Sequence, residues 1–352
     1  MTWCRNGSSR RIAHAAVAQI EANGATSSSV FYSGLGESRI LWGQRGSRGF
    51  SPVRPIPLRF ARRRGADIVQ EKETIAVVFD FDDTLAPDST SSFLDSCGID
   101  VKSFWADDVQ PLLDAGWDPV PAYLYMMVQK SNASIPGMPI TREGLVAWGK
   151  QISPYPGATT IFNRLRRTAS SIDSRINVEF YLISSGIGEI LRATRIGQQF
   201  NDIWACDFLY DEAGGIVFPK NVVSFTDKTR YLFQISKGLV GPAYKGKPFD
   251  VNRKVSSADL RIPFDQIVYV GDGYTDIPCF SLVRKERGVA IGVYDRADHD
   301  RWGRAWGFVA EDRVSNLAAA DYSSKSALAD SLTMAVERMS NQIVLRRMTY
   351  QG

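Results

Sequence analysis

The sequence predicts an α/β protein: a parallel β-sheet with flanking helices, interrupted once by an all-helical insertion. Three observations lead there. Short apolar runs rich in β-branched residues recur along the chain and end abruptly in polar groups, as buried strands of a parallel sheet do. Stretches with helical spacing follow these runs. Between the first and second run lie about 65 residues whose apolar positions recur with helical spacing alone.

The chain has 352 residues, 44% hydrophobic and 23% charged, which suits a globular protein of one large domain or a core with an inserted module. No apolar run approaches the roughly 18–20 residues a membrane helix needs, so no membrane partner is expected. Residues 1–70 hold eleven Arg, no Lys and three acids (Glu21, Glu37, Asp67), a net +8 out of a total of +4, which leaves the other 282 residues at −4. The basic balance therefore belongs to this extension, and nucleic-acid binding is not expected of the folded part. Three readings of the extension remain open: a targeting presequence, a flexible arm for an anionic partner, or translated upstream sequence without a role. The last is favoured, and in each case the segment is expected to be disordered. The folded part is expected in the cytoplasm, or in an organelle if the extension is a presequence. Four scattered cysteines (Cys4, Cys97, Cys206, Cys279) lack zinc or redox spacing and read as reduced thiols. With only His14 and His299 present, histidine-centred catalysis is not expected.

The first strand is Ile75-Ala-Val-Val-Phe79, which ends in Asp80-Phe81-Asp82-Asp83-Thr84. Ligands of open α/β sheets bind at the carboxyl ends of strands, where Asp80 and Asp82 would meet a metal ion and a phosphate. Asp88-Ser-Thr-Ser offers capping residues to a helix, and Val101, Phe104, Trp105, Val109, Leu112 and Leu113 recur at helical spacing. A second helical patch runs from Ala122 to Val128, Pro136-Gly137 and Pro139 mark a loop, and Thr141 opens a helix with Leu145, Trp148 and Ile152 on one face. Residues 88–154 thus read as a helical lid, whose aromatics (Phe104, Trp105, Trp117, Tyr123, Tyr125, Trp148) fill the module's own core or line a substrate pocket; the core is the favoured reading.

A helix through Ile161 and Leu165 leads to a second strand, Val178–Ile183, ending in Ser184-Ser185-Gly186 before a helix over 189–196. A hydroxyl and bare N–H groups at a helix start form an anion site. A hairpin is expected over 203–217, turning at Asp211–Gly215. Ser224 to Asp227 cap a helix that holds Lys228 in its first turn, against the helix dipole, as suits a lysine kept for a nearby anion. Residues 238–259 read as a Lys-rich loop. A third strand, Ile267–Val270, ends in Gly271-Asp272-Gly-Tyr-Thr-Asp276; Val289–Val293 is a further strand and 326–343 a closing helix.

Asp80/Asp82, Ser184, Lys228 and Asp272/Asp276 supply what phosphoryl transfer needs: an ionised nucleophile, a proton carrier, a cation and ligands for a hard metal. In this order the sites resemble the four motifs of the haloacid dehalogenase superfamily, in its phosphatase branch: Asp80-Phe-Asp82-Asp-Thr84-Leu, Tyr181-Leu-Ile-Ser184, Lys228 and Gly271-Asp272-Gly-Tyr-Thr-Asp276. The resemblance covers residues 75 to about 295. It implies a doubly wound, Rossmann-like core (residues 71–87 and 155–352), Mg²⁺ and an aspartyl-phosphate intermediate on a small phosphorylated substrate. Asp80 would be the nucleophile and Asp82 the acid and base. Thr84 would help hold the first loop and would bind the phosphoryl group together with Ser184, Ser185, Gly186 and Lys228. Asp80, the Asp82 carbonyl, Asp272 and Asp276 would serve the metal. An acid at the Asp82 position favours phosphoryl chemistry over carbon–halogen cleavage. The long first insertion places the cap in the family's helical type. The arrangement is most similar to phosphoserine phosphatases, but their glutamate nine residues past the nucleophile is Ser89 here, which puts phosphoserine in question as the substrate. Transfer to a second substrate (a phosphotransferase or mutase) and a non-catalytic phospho-ligand binder are the alternatives.

Overall fold

The computed structural model describes residues 72–132, 140–295 and 307–350. The expectations for residues 1–70, for the loop at Pro136–Pro139, and for Cys4, His14 and His299 lie outside the described residues.

Among the described residues seven strands form one sheet: β1 (Thr74–Phe79), β2 (Asn177–Ile187), β3 (Asp202–Tyr210), β4 (Ile216–Asn221), β5 (Ile267–Gly271), β6 (Val289–Tyr294) and β7 (Asn316–Ala319). Their order is β4-β3-β2-β1-β5-β6-β7, and every neighbouring pair is parallel except the β3–β4 hairpin. The chain first builds outward from β1 through β2 and β3, then crosses back to add β5 on the other side. The order therefore reverses at β1, and the crevice of such a sheet opens at this point, beyond the strand's carboxyl end.

Alternation along the strands sends successive residues to opposite faces. On one face Phe79 and Phe180 close with Phe162 of α6 (Ile161–Ile172), ring centroids 6.0 and 4.9 Å from it. The next residue of β2, Tyr181, stacks instead on Trp204, and Trp204 on Tyr231 of α8 (Phe225–Lys237). Tyr269 of β5 meets Phe280 of α9 (Ile277–Lys285). Helices thus cover both faces, the doubly wound arrangement. The strand interiors Val77, Phe79, Tyr181, Ile183, Val268 and Val270 are fully buried, as residues of two-sided parallel strands must be.

The elements described in the inserted segment are all helical: α1 (Ser89–Ser96), α2 (Val101–Ser103), a π-helical stretch Phe104–Val109, α3 (Gln110–Asp114), α4 (Pro119–Asn132) and α5 (Arg142–Gln151). Asp88 caps α1 by accepting from the N–H groups of Thr90 and Ser91, at 3.0 and 2.9 Å. Two features fasten α5 to the sheet domain. Thr141 bridges Gly215 at the β3–β4 turn, where Ile216 N–H donates to Ile140 and Arg142 N–H to Gly214. Gly149 packs against α7 (Gly188–Ala193) so closely that a Cβ there would stand 2.2 Å from the Ile190 carbonyl.

Three sequence expectations change. β2 does not stop at Ile183; it runs through Ser184, Ser185 and Gly186 to Ile187, with an irregular register against β3 over that stretch. Ser184 to Gly186 are therefore strand residues, and the six-residue α7 begins only afterwards, so the anion site expected at a helix start is not built that way. β7 was not foreseen. The closing helix, α10 (Ala327–Tyr350), is longer than expected.

Candidate active site

Where β1 ends, the backbone folds back on itself: the N–H groups of Thr84, Leu85 and Ala86 all donate to the Phe81 carbonyl, and Asp83 takes a left-handed φ of 55°. This turn sets Asp80 and Asp82 on one side, facing the end of β2 and the loop after β5. Asp80 is 5% exposed, and one of its oxygens accepts the Phe81 N–H at 2.7 Å. Its other oxygen takes a 2.7 Å hydrogen bond from Lys228 Nζ. The same ammonium donates to Asp276 Oδ1 at 2.7 Å and to Thr275 Oγ1 at 3.0 Å. Lys228 has no exposed surface, so all three of its donors are spent inside this cluster.

Asp276 is bound from several directions. Tyr269 Oη donates to Oδ1 at 2.7 Å and Gly273 N–H to Oδ2 at 3.2 Å. A Cβ on Gly271 would lie 2.4 Å from that carboxylate, which explains glycine at this position. Asp80, Asp272 and Asp276 each bring a carboxylate oxygen within 4.8 Å of the others. Asp82 holds a different place. Its Oδ1 accepts the Ser89 N–H at 2.7 Å, and its Oδ2 lies where a Cβ on Gly186 would approach to 2.6 Å. Ser184 Oγ accepts the Gly186 N–H at 3.0 Å, which fixes the end of β2 beside Asp82.

These groups share a cleft of about 250 Å³, into which Asp80, Asp82, Asp272, Ser184, Ser185 and Gly186 face from the sheet, and Asp88, Thr90, Trp105 and Tyr123 from the inserted helices. Six of the nine candidate site residues meet there. Lys228 and Asp276 lie directly beneath, joined to Asp80. Thr84 is not brought to the cleft: it is fully buried, its Oγ1 finds no partner, and its carbonyl accepts from Tyr322 Oη. That place suits the loop-holding role and not a phosphate contact. The inserted aromatics divide. Trp105 and Tyr123 line the cleft, Phe104 is core, Trp148 donates to the Ser89 carbonyl and packs near Phe93, and Trp117 and Tyr125 pair on the surface.

Burial in a crowd of like charges shifts the carboxyls upward. Burial, then repulsion from Asp276, carries Asp80 up to about 6 against the pull of Lys228. Burial and the charge of Asp88 hold Asp82 well above the ordinary carboxylate range. Asp272 is raised by burial and by Asp276 and Asp80. Burial would lower the Lys228 ammonium, but Asp276 and Asp80 raise it above its usual value, so it stays charged. Several acids converge on one cation. Such a donor set, all hard oxygens with excess negative charge, fits Mg²⁺.

The sequence reading missed Tyr269 and Thr275, which steady Lys228 and Asp276, and it named Asp88 only as a helix cap. Their roles show only in the folded geometry: Tyr269 reaches Asp276 around the turn after β5, and Thr275 meets Lys228 of α8, a helix distant in the chain. Cys97, Cys206 and Cys279 are free thiols, and no described helix is long and apolar enough to cross a membrane.

No family model matches the chain. An uncharacterized protein of Borreliella burgdorferi is 25% identical over 289 residues, covering 72% of this chain and 93% of that one. Among solved structures, a HAD family hydrolase from Salmonella enterica subsp. enterica serovar Typhi is 14% identical with a TM-score of 0.45, covering 70% of this chain and 66% of the other. A phosphoserine phosphatase in apo form is 15% identical with a TM-score of 0.43, covering 69% and 92%.

Proposed function

We propose that this chain is a Mg²⁺-dependent phosphatase of the haloacid dehalogenase superfamily, hydrolysing a small phosphomonoester through a phosphorylated Asp80. The observation that carries the reading is the Lys228 ammonium, buried and shared between Asp80 and Asp276 beneath a cleft into which Asp80, Asp82, Asp272 and Ser184 face. A structural salt bridge would not need three further polar groups turned toward an open cleft beside it.

Asp80 has one oxygen held by the Phe81 N–H and the other by Lys228, so the carboxylate is oriented before substrate arrives. An oxygen of Asp80 bonds to phosphorus as the ester P–O bond breaks. Asp82, raised well above the ordinary range, carries the proton the departing oxygen takes. Left as a carboxylate, Asp82 then accepts a proton from the water that attacks the phosphorus of the aspartyl phosphate, and inorganic phosphate and free Asp80 result. Ser184 Oγ would donate to a phosphoryl oxygen, and the Lys228 ammonium, its donors on Asp80, Asp276 and Thr275, would offset phosphoryl charge from beneath. Asp80, the Asp82 carbonyl and Asp272 would hold the metal, with Asp276 in support, since both its oxygens already accept hydrogen bonds. Bound Mg²⁺ supplies positive charge against the phosphoryl oxygens and the clustered acids. Phosphate release from para-nitrophenyl phosphate, with Mg²⁺ and with chelator, tests the reading. Release that needs Mg²⁺ and is lost in Asp80→Asn supports it; release undiminished in that variant overturns it.

A further inference from the structure

The cleft is acidic on the side where the leaving group must sit as well as on the reacting side. Five carboxylates line it, those of Asp80, Asp82, Asp83, Asp88 and Asp272, and no Lys or Arg among the described residues does. Lys228 lies below, its donors already used on Asp80, Asp276 and Thr275. On the reacting side, Mg²⁺ and Lys228 offset the acids. Asp88 has no such partner: the groups that donate to it are the N–H of Thr90, the N–H of Ser91 and the Ser91 hydroxyl, all neutral.

Beside Asp88 stand two aromatic rings. Trp105 and Tyr123 both line the cleft, with centroids 5.9 Å apart and planes at 54°, so their surfaces form a corner. The indole is tied to the carboxylate through one hydroxyl: Trp105 Nε1 donates to Ser91 Oγ at 3.0 Å, and Ser91 Oγ donates to Asp88 Oδ2 at 2.6 Å. Tyr123 Oη donates to the Ser185 carbonyl, which pins the second ring to the end of β2. A carboxylate flanked by aromatic rings is the surround that attracts an ammonium group, through charge and through the ring quadrupoles. An anionic leaving group would meet Asp88 and Asp82 with no Lys or Arg of the described lining to pair it, which selects against phosphorylated acids and bisphosphates.

We infer that the leaving group is a small alcohol bearing a protonated or quaternary ammonium, seated by Asp88, Trp105 and Tyr123; the inference rests on the phosphatase reading above. The chemistry balances without another reactant. The P–O bond breaks as Asp80 bonds to phosphorus, the proton of Asp82 goes to the departing oxygen, and the ammonium charge is unchanged.

The test measures Mg²⁺-dependent phosphate release from phosphocholine, from neohexyl phosphate (its uncharged isostere), from phosphoethanolamine, O-phosphoserine and para-nitrophenyl phosphate. The expected kcat/KM for phosphocholine exceeds that for neohexyl phosphate by about tenfold or more, mainly through KM, as a desolvated cation–π and charge contact supplies. O-phosphoserine, with its added carboxylate, falls below phosphoethanolamine. Asp88→Asn keeps a side chain that caps α1, since Asn and Asp cap about equally well. It should shrink the phosphocholine-to-neohexyl ratio by about tenfold. Equal rates on the isosteric pair, or a ratio that Asp88→Asn leaves unchanged, overturn the inference while para-nitrophenyl phosphate turnover keeps the phosphatase reading. Release from none of the five overturns both.

Discussion

At the scale of single residues, the site depends on close approaches that allow little substitution. Asp80→Asn removes the charge of the proposed nucleophile while keeping its shape, so turnover should vanish with the circular-dichroism spectrum unchanged. Gly186→Ala would place a methyl group 2.6 Å from Asp82 Oδ2. Displacing Asp82, the proposed proton carrier, should lower kcat by roughly tenfold to a hundredfold, read in steady-state kinetics, with little change in the unfolding midpoint. Lys228→Met leaves Asp80 and Asp276 buried without their cation. The expected loss is about 3–5 kcal/mol in urea unfolding, partly recovered on acidification as the carboxyls take up protons. The carboxylates of this site were legible in the sequence because strands that end in acids are a local pattern. Tyr269, Thr275 and the exposure of Asp88 to the cleft were not. Each depends on how β5, α8 and the inserted helices come together, which no window of sequence reports.

At the scale of elements, the inserted helices are not held by the apolar contacts of their own module alone. Gly149 lets α5 touch the backbone of α7, the helix that directly follows the β2 end carrying Ser184 and Gly186. Alanine is ordinarily favoured over glycine within a helix by about 1 kcal/mol. Here a Cβ would meet the Ile190 carbonyl at 2.2 Å and Ala193 Cβ at 2.9 Å, so Gly149→Ala should destabilise the protein by about 1–3 kcal/mol instead. Urea unfolding decides the sign, and a stabilised variant would show that α5 is free to move away. The strands and helices legible in sequence were the ones with a strong local signal: the apolar run of β1, the helical spacing of α5 and the capping-type residues before α8. β7 escaped because Asn316-Leu-Ala-Ala319 holds no β-branched residue and pairs only through β6. The extension of β2 escaped because Ser184-Ser185-Gly186 is ordinary turn chemistry. Pairing with β1 ends at Leu182, but β3 pairs at Ile183 and again at Ile187, and this irregular register carries those residues along in the strand.

At the scale of the whole molecule, the charge of the site links stability, pH and metal. Asp80 moves from an ordinary 3.8 to about 6 on folding, so between these values the folded protein binds more protons than the unfolded chain. Its stabilising contribution is therefore full below pH 4 and lost as pH rises through 6. The metal-free protein should lose melting temperature over that interval, and added Mg²⁺ should raise Tm more at pH 7.5 than at pH 5, where protons compete for the same oxygens. A Mg²⁺ shift that is equal at both pH values would mean that the metal does not bind these acids. The chain's broad plan, a parallel sheet with a helical insertion and acids at the strand ends, was readable because each part repeats a local period. The leaving-group side was not, since it is assembled from α1, the π-helical stretch, α4 and β2 at once. The most direct test of the chemistry is to quench a reaction with substrate and Mg²⁺ in acid within the first turnover and map the modified peptide by mass spectrometry. Phosphoryl mass on the peptide bearing Asp80, removed by borohydride reduction at that residue, is the predicted result. Substrate consumed with Asp80 unmodified, or the phosphoryl group found on another residue, would contradict it.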